Sequence, residues 1–95
     1  MEIKPLHTKI DKMIQIKLGT IILEEYSGFP MTESNLYLVS SNGKIVWTAE
    51  KPEARTLFTR LKLNEDFTIS TFTSSGQFCD LNIETGKIIS SSSFK

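Results

Sequence analysis

The chain has 95 residues, of which 39% are hydrophobic and 23% charged, with Lys+Arg and Asp+Glu at 11 each. That size fits a single domain spanning 1–95 with a thin core, since a chain this short buries only roughly 60 to 65% of its unfolded surface. Balanced charge sets aside a general binder of nucleic acid or anionic membrane, which would carry a basic excess.

Met1 to His7 is a polar leader with Pro5 and no apolar run, so a secretory signal peptide is not expected. Ile10 to Leu18 alternates, with Ile10, Ile14, Ile16 and Leu18 on one side and Asp11, Gln15 and Lys17 on the other. Period two with isoleucine enrichment predicts a strand; a helical stripe of Leu6, Ile10, Met13 and Ile14 is the competing reading. Gly19 punctuates, and Thr20 to Leu23 reads as a buried strand. The longest uncharged apolar run, Leu18 to Leu23, is far short of the ~20 residues that span a bilayer.

Glu24 to Asn35, EEYSGFPMTESN, is a turn-rich loop. Its large apolar groups Tyr26, Phe29 and Met31 are either tucked onto the core or offered to a partner. Leu36 to Glu50 reads as a hairpin around Ser41-Asn42-Gly43-Lys44, where Asn-Gly favours a type I′ turn. Trp47, on the returning strand, is a core or edge residue, or an interface anchor. In Lys51 to Leu63, Ala54, Leu57, Phe58 and Leu61 follow a helical stripe, while Leu57, Thr59, Leu61 and Leu63 alternate as a strand. Thr56 and Thr59 weaken the helix, so a loop followed by a strand is expected, with a short helix near 53–61 as the alternative. Asn64-Glu65-Asp66 is a turn. Phe67 to Ser90 then reads as three strands joined at Thr73 to Gly76 and Glu84 to Lys87, with Ser90 to Ser93 as a weak edge or tail.

This order repeats. Asn42-Gly43-Lys44-Ile45 aligns with Thr85-Gly86-Lys87-Ile88, and Ile16-Lys17-Leu18 with Leu61-Lys62-Leu63. A period of about 45 residues with four strands each is the pattern of propeller blades. The phrase Asp80-Leu81-Asn82-Ile83-Glu84-Thr85-Gly86-Lys87-Ile88-Ile89 resembles the outer hairpin of blades in quinoprotein-like or WD-type β-propellers. The resemblance implies an all-β fold of about eight antiparallel strands in two blade-like repeats, about 10–50 and 57–93. Two blades cannot close a ring, so a half-propeller or an open sandwich is expected.

No catalytic set emerges. His7 is the one histidine and Cys79 the one cysteine, so no zinc set such as Cys2His2 is possible and no internal disulfide can form. The lack of disulfides fits a reducing, cytoplasmic setting. Cys79 alternates with Leu81 and Ile83, as a small buried hydrophobe does. There is no Gly-x-Ser-x-Gly and no Gly-rich phosphate loop. The acid pairs Glu24-Glu25 and Glu65-Asp66 stand at strand-to-turn junctions, where acids are usually solvated; they could complement a basic partner. Neither an enzyme nor a cofactor is expected.

In size, β architecture and lack of catalytic chemistry the chain is similar to the immunity proteins of contact-dependent growth inhibition and polymorphic toxin systems. That resemblance implies a protein-binding inhibitor that forms a heterodimer with a cognate toxin, a cationic nuclease domain, and occludes its active cleft. Glu24, Glu25, Glu65 and Asp66 would meet the toxin's cations, with Tyr26, Phe29 or Trp47 as anchors. The alternative is a self-assembling or ligand-binding β module in which copies pair their edges as a homodimer or larger ring.

Overall fold

The computed structural model describes residues 3–93. They form eight strands, and no helix occurs among them. Strands β1 (Ile10–Ile16), β2 (Gly19–Glu24), β3 (Leu36–Val39) and β4 (Ile45–Thr48) make one antiparallel meander. Strands β5 (Phe58–Leu63), β6 (Thr68–Thr73), β7 (Gln77–Asn82) and β8 (Ile88–Ser93) make a second. The two blade-like sheets correspond to the two repeats. The region near 53–61, where a helix competed with a strand, resolves as bends and turns followed by β5. The helical stripe of residues 6–14 is likewise set aside, because β1 pairs with β2 along its length.

Directly paired residues share a face of a sheet, so the register assigns the faces. In the first sheet Ile14, Ile21, Leu38 and Trp47 form one row across all four strands. In the second, Leu63, Ile69, Leu81 and Ile88 form another. These rows face each other. Ile21, Leu23, Leu36, Leu38, Trp47 and Ala49 share one core with Phe58, Leu61, Ile69, Cys79 and Leu81. The block is 17 Å in its shortest dimension, as expected for two sheets about 10 Å apart.

Polar groups fasten the sheets together. Asn35 is fully buried. Its Oδ1 accepts from the Phe58 N–H at 2.8 Å, and its Nδ2 donates to the carbonyls of Phe58 and Glu24, each at 2.8 Å. The amide thus satisfies both backbone groups of a β5 residue, as a neighbouring strand would. Near one end of the core, Lys12 Nζ donates to the Leu61 carbonyl at 2.8 Å. At the other, Trp47 Nε1 donates to the Ile83 carbonyl at 3.1 Å, and the Glu50 N–H donates to the Gly86 carbonyl at 2.8 Å. Gly86 has φ +72°, and a Cβ there would stand 2.4 Å from the Trp47 ring. Glycine is required on both counts.

Three of the turns repeat one design. Gly43 N–H donates to the Ser40 carbonyl, Phe67 N–H to that of Asn64, and Gly76 N–H to that of Thr73, at 3.0 to 3.1 Å. In each the donating residue has positive φ: 85°, 62° and 86°. This is a type I turn followed by one left-handed residue. It corrects the type I′ expectation at Asn42-Gly43, since Asn42 is not among the positive-φ residues. The Asn42 side chain instead accepts from the Ser40 hydroxyl, which closes a loop one residue longer.

Removing the Asn35 side chain would orphan the buried Phe58 N–H and two carbonyls, so Asn35→Ala should cost about 2–4 kcal/mol. Chemical denaturation measures this; a loss no larger than that of a surface alanine would show that the amide does not hold the sheets together.

Candidate interaction surface

Two sheet faces remain after the core is formed, and they differ. The outer face of the first sheet carries the row Met13, Ile22, Tyr37 and Thr48. Ile3 and Ile10 pack against its buried members Ile22, Tyr37 and Val39. Glu24 pins the leader across this face. Fully buried, it accepts from the Leu6 N–H at 2.6 Å, from the His7 and Thr8 N–H groups at 3.0 Å, and from the Tyr37 hydroxyl.

The outer face of the second sheet has no such cover among the described residues. One row across it reads Lys62, Ser70, Asp80 and Ser90; the next reads Arg60, Phe72, Phe78 and Ser92. Phe72 and Phe78 pack edge to face, with centroids 5.2 Å apart. Asn64 Nδ2 donates to Ser70 Oγ at 2.7 Å, Ser70 donates to Asp80 Oδ1 at 2.8 Å, and Ser90 donates to Asp80 Oδ2 at 3.2 Å. A groove of about 1130 Å³ runs from Asp11, Lys12 and Tyr26 across β5 to Phe72 and Phe78. A second hollow continues it, sharing Lys62, Asn64, Ser70 and Phe78 and ending at Glu65 and Asp66.

The residues expected to meet a partner divide between the interior and this groove. Glu24 is internal, as above. Phe29 is buried and packs edge to face on His7, with centroids 5.0 Å apart. Trp47 is buried in the core beside Gly86. Phe29 and Trp47 thus take the core alternative open to each, while Glu24 corrects the expectation of a solvated acid, because its oxygens are already spent on donors within the molecule. Glu25 is half-buried, with its carboxylate 3.4 Å from Lys9 Nζ. Tyr26 stays 48% exposed and lines the groove, while Glu65 and Asp66 are exposed at its far end. The hydroxyl and N–H of Thr68 hold Asp66 below the usual carboxylate range. His7 is exposed in the leader, and its Nε2 lies 3.1 Å from Glu33 Oε1. Cys79 is fully buried, and burial together with the Asp80 charge pushes its thiol up.

Arg60, Lys62, Phe72 and Phe78 were not singled out from the sequence. The signal was the phase of alternation. In Thr68 to Thr73, Ser70 and Phe72 fall opposite Ile69 and Thr71, and in Gln77 to Asn82, Phe78 and Asp80 fall opposite Cys79 and Leu81. Among the described residues, no three His, Cys, Asp or Glu side chains gather as a metal site, and no helix is long and apolar enough to cross a membrane. No protein-family model, curated protein or solved structure matches the chain.

Glu24 links this arrangement to pH. Burial raises its pKa, but the hydrogen bonds from Tyr37, Leu6, Thr8 and His7 outweigh burial and leave it below the model-compound value of 4.5. A lowered folded-state pKa contributes stability that is present above the unfolded value and lost as pH falls through the folded one. The amides of residues 6–8 should therefore lose hydrogen-exchange protection on acidification below about pH 4.5, before the core does. Glu24→Gln, which turns an NH2 group toward N–H donors, should remove that protection at neutral pH and cost about 2–4 kcal/mol. Protection unchanged in the variant would mean that the leader is held by packing alone.

Proposed function

We propose that the protein is a protein-binding inhibitor of the immunity type, acting in the cytoplasm by covering the active cleft of a cognate bacterial toxin. The observation that carries the reading is the contrast between the two outer sheet faces. One is covered by the chain's own leader, whereas the other, among the described residues, carries a groove that puts Tyr26, Phe72 and Phe78 beside a mixed-charge rim of Arg60, Lys62, Glu65 and Asp66. Half-buried aromatic groups with a charged surround are the composition of protein–protein contact surfaces. A cationic nuclease domain is the target class that the acidic end of the groove would steer.

The same contrast weighs against ring assembly by face-to-face stacking. A further sheet on the second outer face would bury the charges of Arg60, Lys62 and Asp80, and charge burial is costly unless it is compensated. A further sheet on the first outer face would have to displace the leader. A second reading, pairing of two copies along β8, is favoured by one observation: this edge strand, IISSSS, carries no charge or proline to block it.

Co-expression with the toxin encoded by the adjacent reading frame should yield a one-to-one complex and restore growth. Glu65→Lys should slow association about tenfold at low salt, with a smaller effect at high salt, as rim charges do. No complex and no rescue would overturn the inhibitor reading. A concentration-dependent dimer in sedimentation, abolished by Ser91→Lys, would favour pairing along β8 instead.

A further inference from the structure

The β5–β6 turn holds an anomaly that the groove alone does not explain. The fold builds the same turn at 40–44, 64–68 and 73–77. Its left-handed position is Gly43 in the first and Gly76 in the third, but Phe67 in the second, with φ 62°. Phe67 is the one non-glycine with positive φ among the described residues. It is also 70% exposed, the most exposed of the large hydrophobic side chains described. A side chain with a Cβ is disfavoured in this conformation, and most strongly when it is bulky. Exposure of the ring returns little burial in compensation.

The turn is nonetheless fixed. The Asn64 N–H donates to the Thr68 carbonyl at 2.9 Å, and the Phe67 N–H to the Asn64 carbonyl at 3.1 Å. Asp66 Oδ1 accepts from the Thr68 hydroxyl at 2.7 Å and from its N–H at 3.2 Å, and Asn64 Nδ2 donates to Thr68 Oγ1 at 3.0 Å. An ordered turn thus carries an unburied aromatic ring, next in sequence to Glu65 and Asp66 at the end of the groove.

We infer that Phe67 is a preformed anchor that inserts into an apolar socket on the partner protein, and that Glu65 and Asp66 require lysine or arginine side chains around that socket. The inference rests on the inhibitor reading above and adds the point at which the partner is gripped. A rigid backbone lowers the ordering cost of binding, and one buried aromatic ring can dominate an interface. The strain at Phe67 is a folding disadvantage that this role accounts for, following the direction from a backbone outlier to a function.

The test compares the wild-type chain with Phe67→Gly and Phe67→Leu, measuring melting temperature and affinity for the purified toxin of the adjacent reading frame. Phe67→Gly should leave the melting temperature unchanged or raised while weakening binding about 30-fold or more. Phe67→Leu, which keeps an apolar side chain on the same turn, should retain part of the affinity. Wild-type-like affinity in Phe67→Gly would overturn the anchor while leaving the inhibitor reading intact. A lower melting temperature in Phe67→Gly would show that the ring serves folding, which also overturns it. Absence of binding by the wild-type chain would remove the inhibitor reading and the anchor together.

Discussion

The two sheets meet through the carboxamide of Asn35. β5 is an edge strand that pairs only with β6, yet its first residue, Phe58, is buried. A buried backbone N–H and C=O without partners would each cost about 1–3 kcal/mol. Asn35 supplies an acceptor and a donor in the geometry of a strand neighbour, and with the second hydrogen of the same amide it takes the Glu24 carbonyl. One side chain therefore fixes where the second sheet begins relative to the first. The faces that touch, and those left outside, follow from that placement.

The outer faces show how a two-sheet stack is ended. The row Met13, Ile22, Tyr37 and Thr48 is apolar enough to need cover, and the leader supplies it under the control of a carboxylate buried among four donors. Tyr37 is part of the same device. Burial, followed by the hydrogen bond to Glu24 and the Glu24 charge, raises its phenol above the ordinary value, so it remains a donor wherever Glu24 is ionised. The second sheet ends differently. Its outer rows set the Phe72–Phe78 pair among hydroxyl and charged groups, which water or a polar partner can satisfy. Among the described residues, the two ends of the stack are therefore finished in different ways.

The hairpins were legible because they depend on neighbours in sequence. β-Branched alternation, interrupted by Asn-Gly, Ser-Gly and Thr-Gly, placed the first seven strands within a residue or two of their observed ends, while the last runs through Ser90 to Ser93, read as a weak edge or tail. The repeat then implied two four-stranded sheets, and two four-stranded antiparallel meanders are what the topology shows. The parts that misled depend on distant contacts. Nothing near Glu24 in sequence reveals that backbone donors 16 to 18 positions upstream converge on it, so an acid at a strand end reads as solvated. Phe29 and Trp47 take the inward of the two directions left open to them, and the packing partners that decide it, His7 and Gly86, are distant in sequence. The turn at Asn42-Gly43 was misjudged for a local reason: Ser40 bonds both the Asn42 side chain and the Lys44 N–H, which favours the longer loop.

The rows on the second outer face also limit where binding energy can come from. Asn64, Ser70, Asp80 and Ser90 already satisfy one another, and exchanging an existing hydrogen bond for another returns little net free energy. Such groups set register and reject mismatched surfaces more than they supply affinity. Affinity must then come from exposed apolar area, which on this side of the molecule lies with Tyr26 and most of all with Phe67. A prearranged polar face with its apolar contact concentrated at one turn suits a partner selected by shape and charge. It suits a flexible or purely apolar partner poorly, because such a partner would leave Arg60, Lys62 and Asp80 covered without compensation.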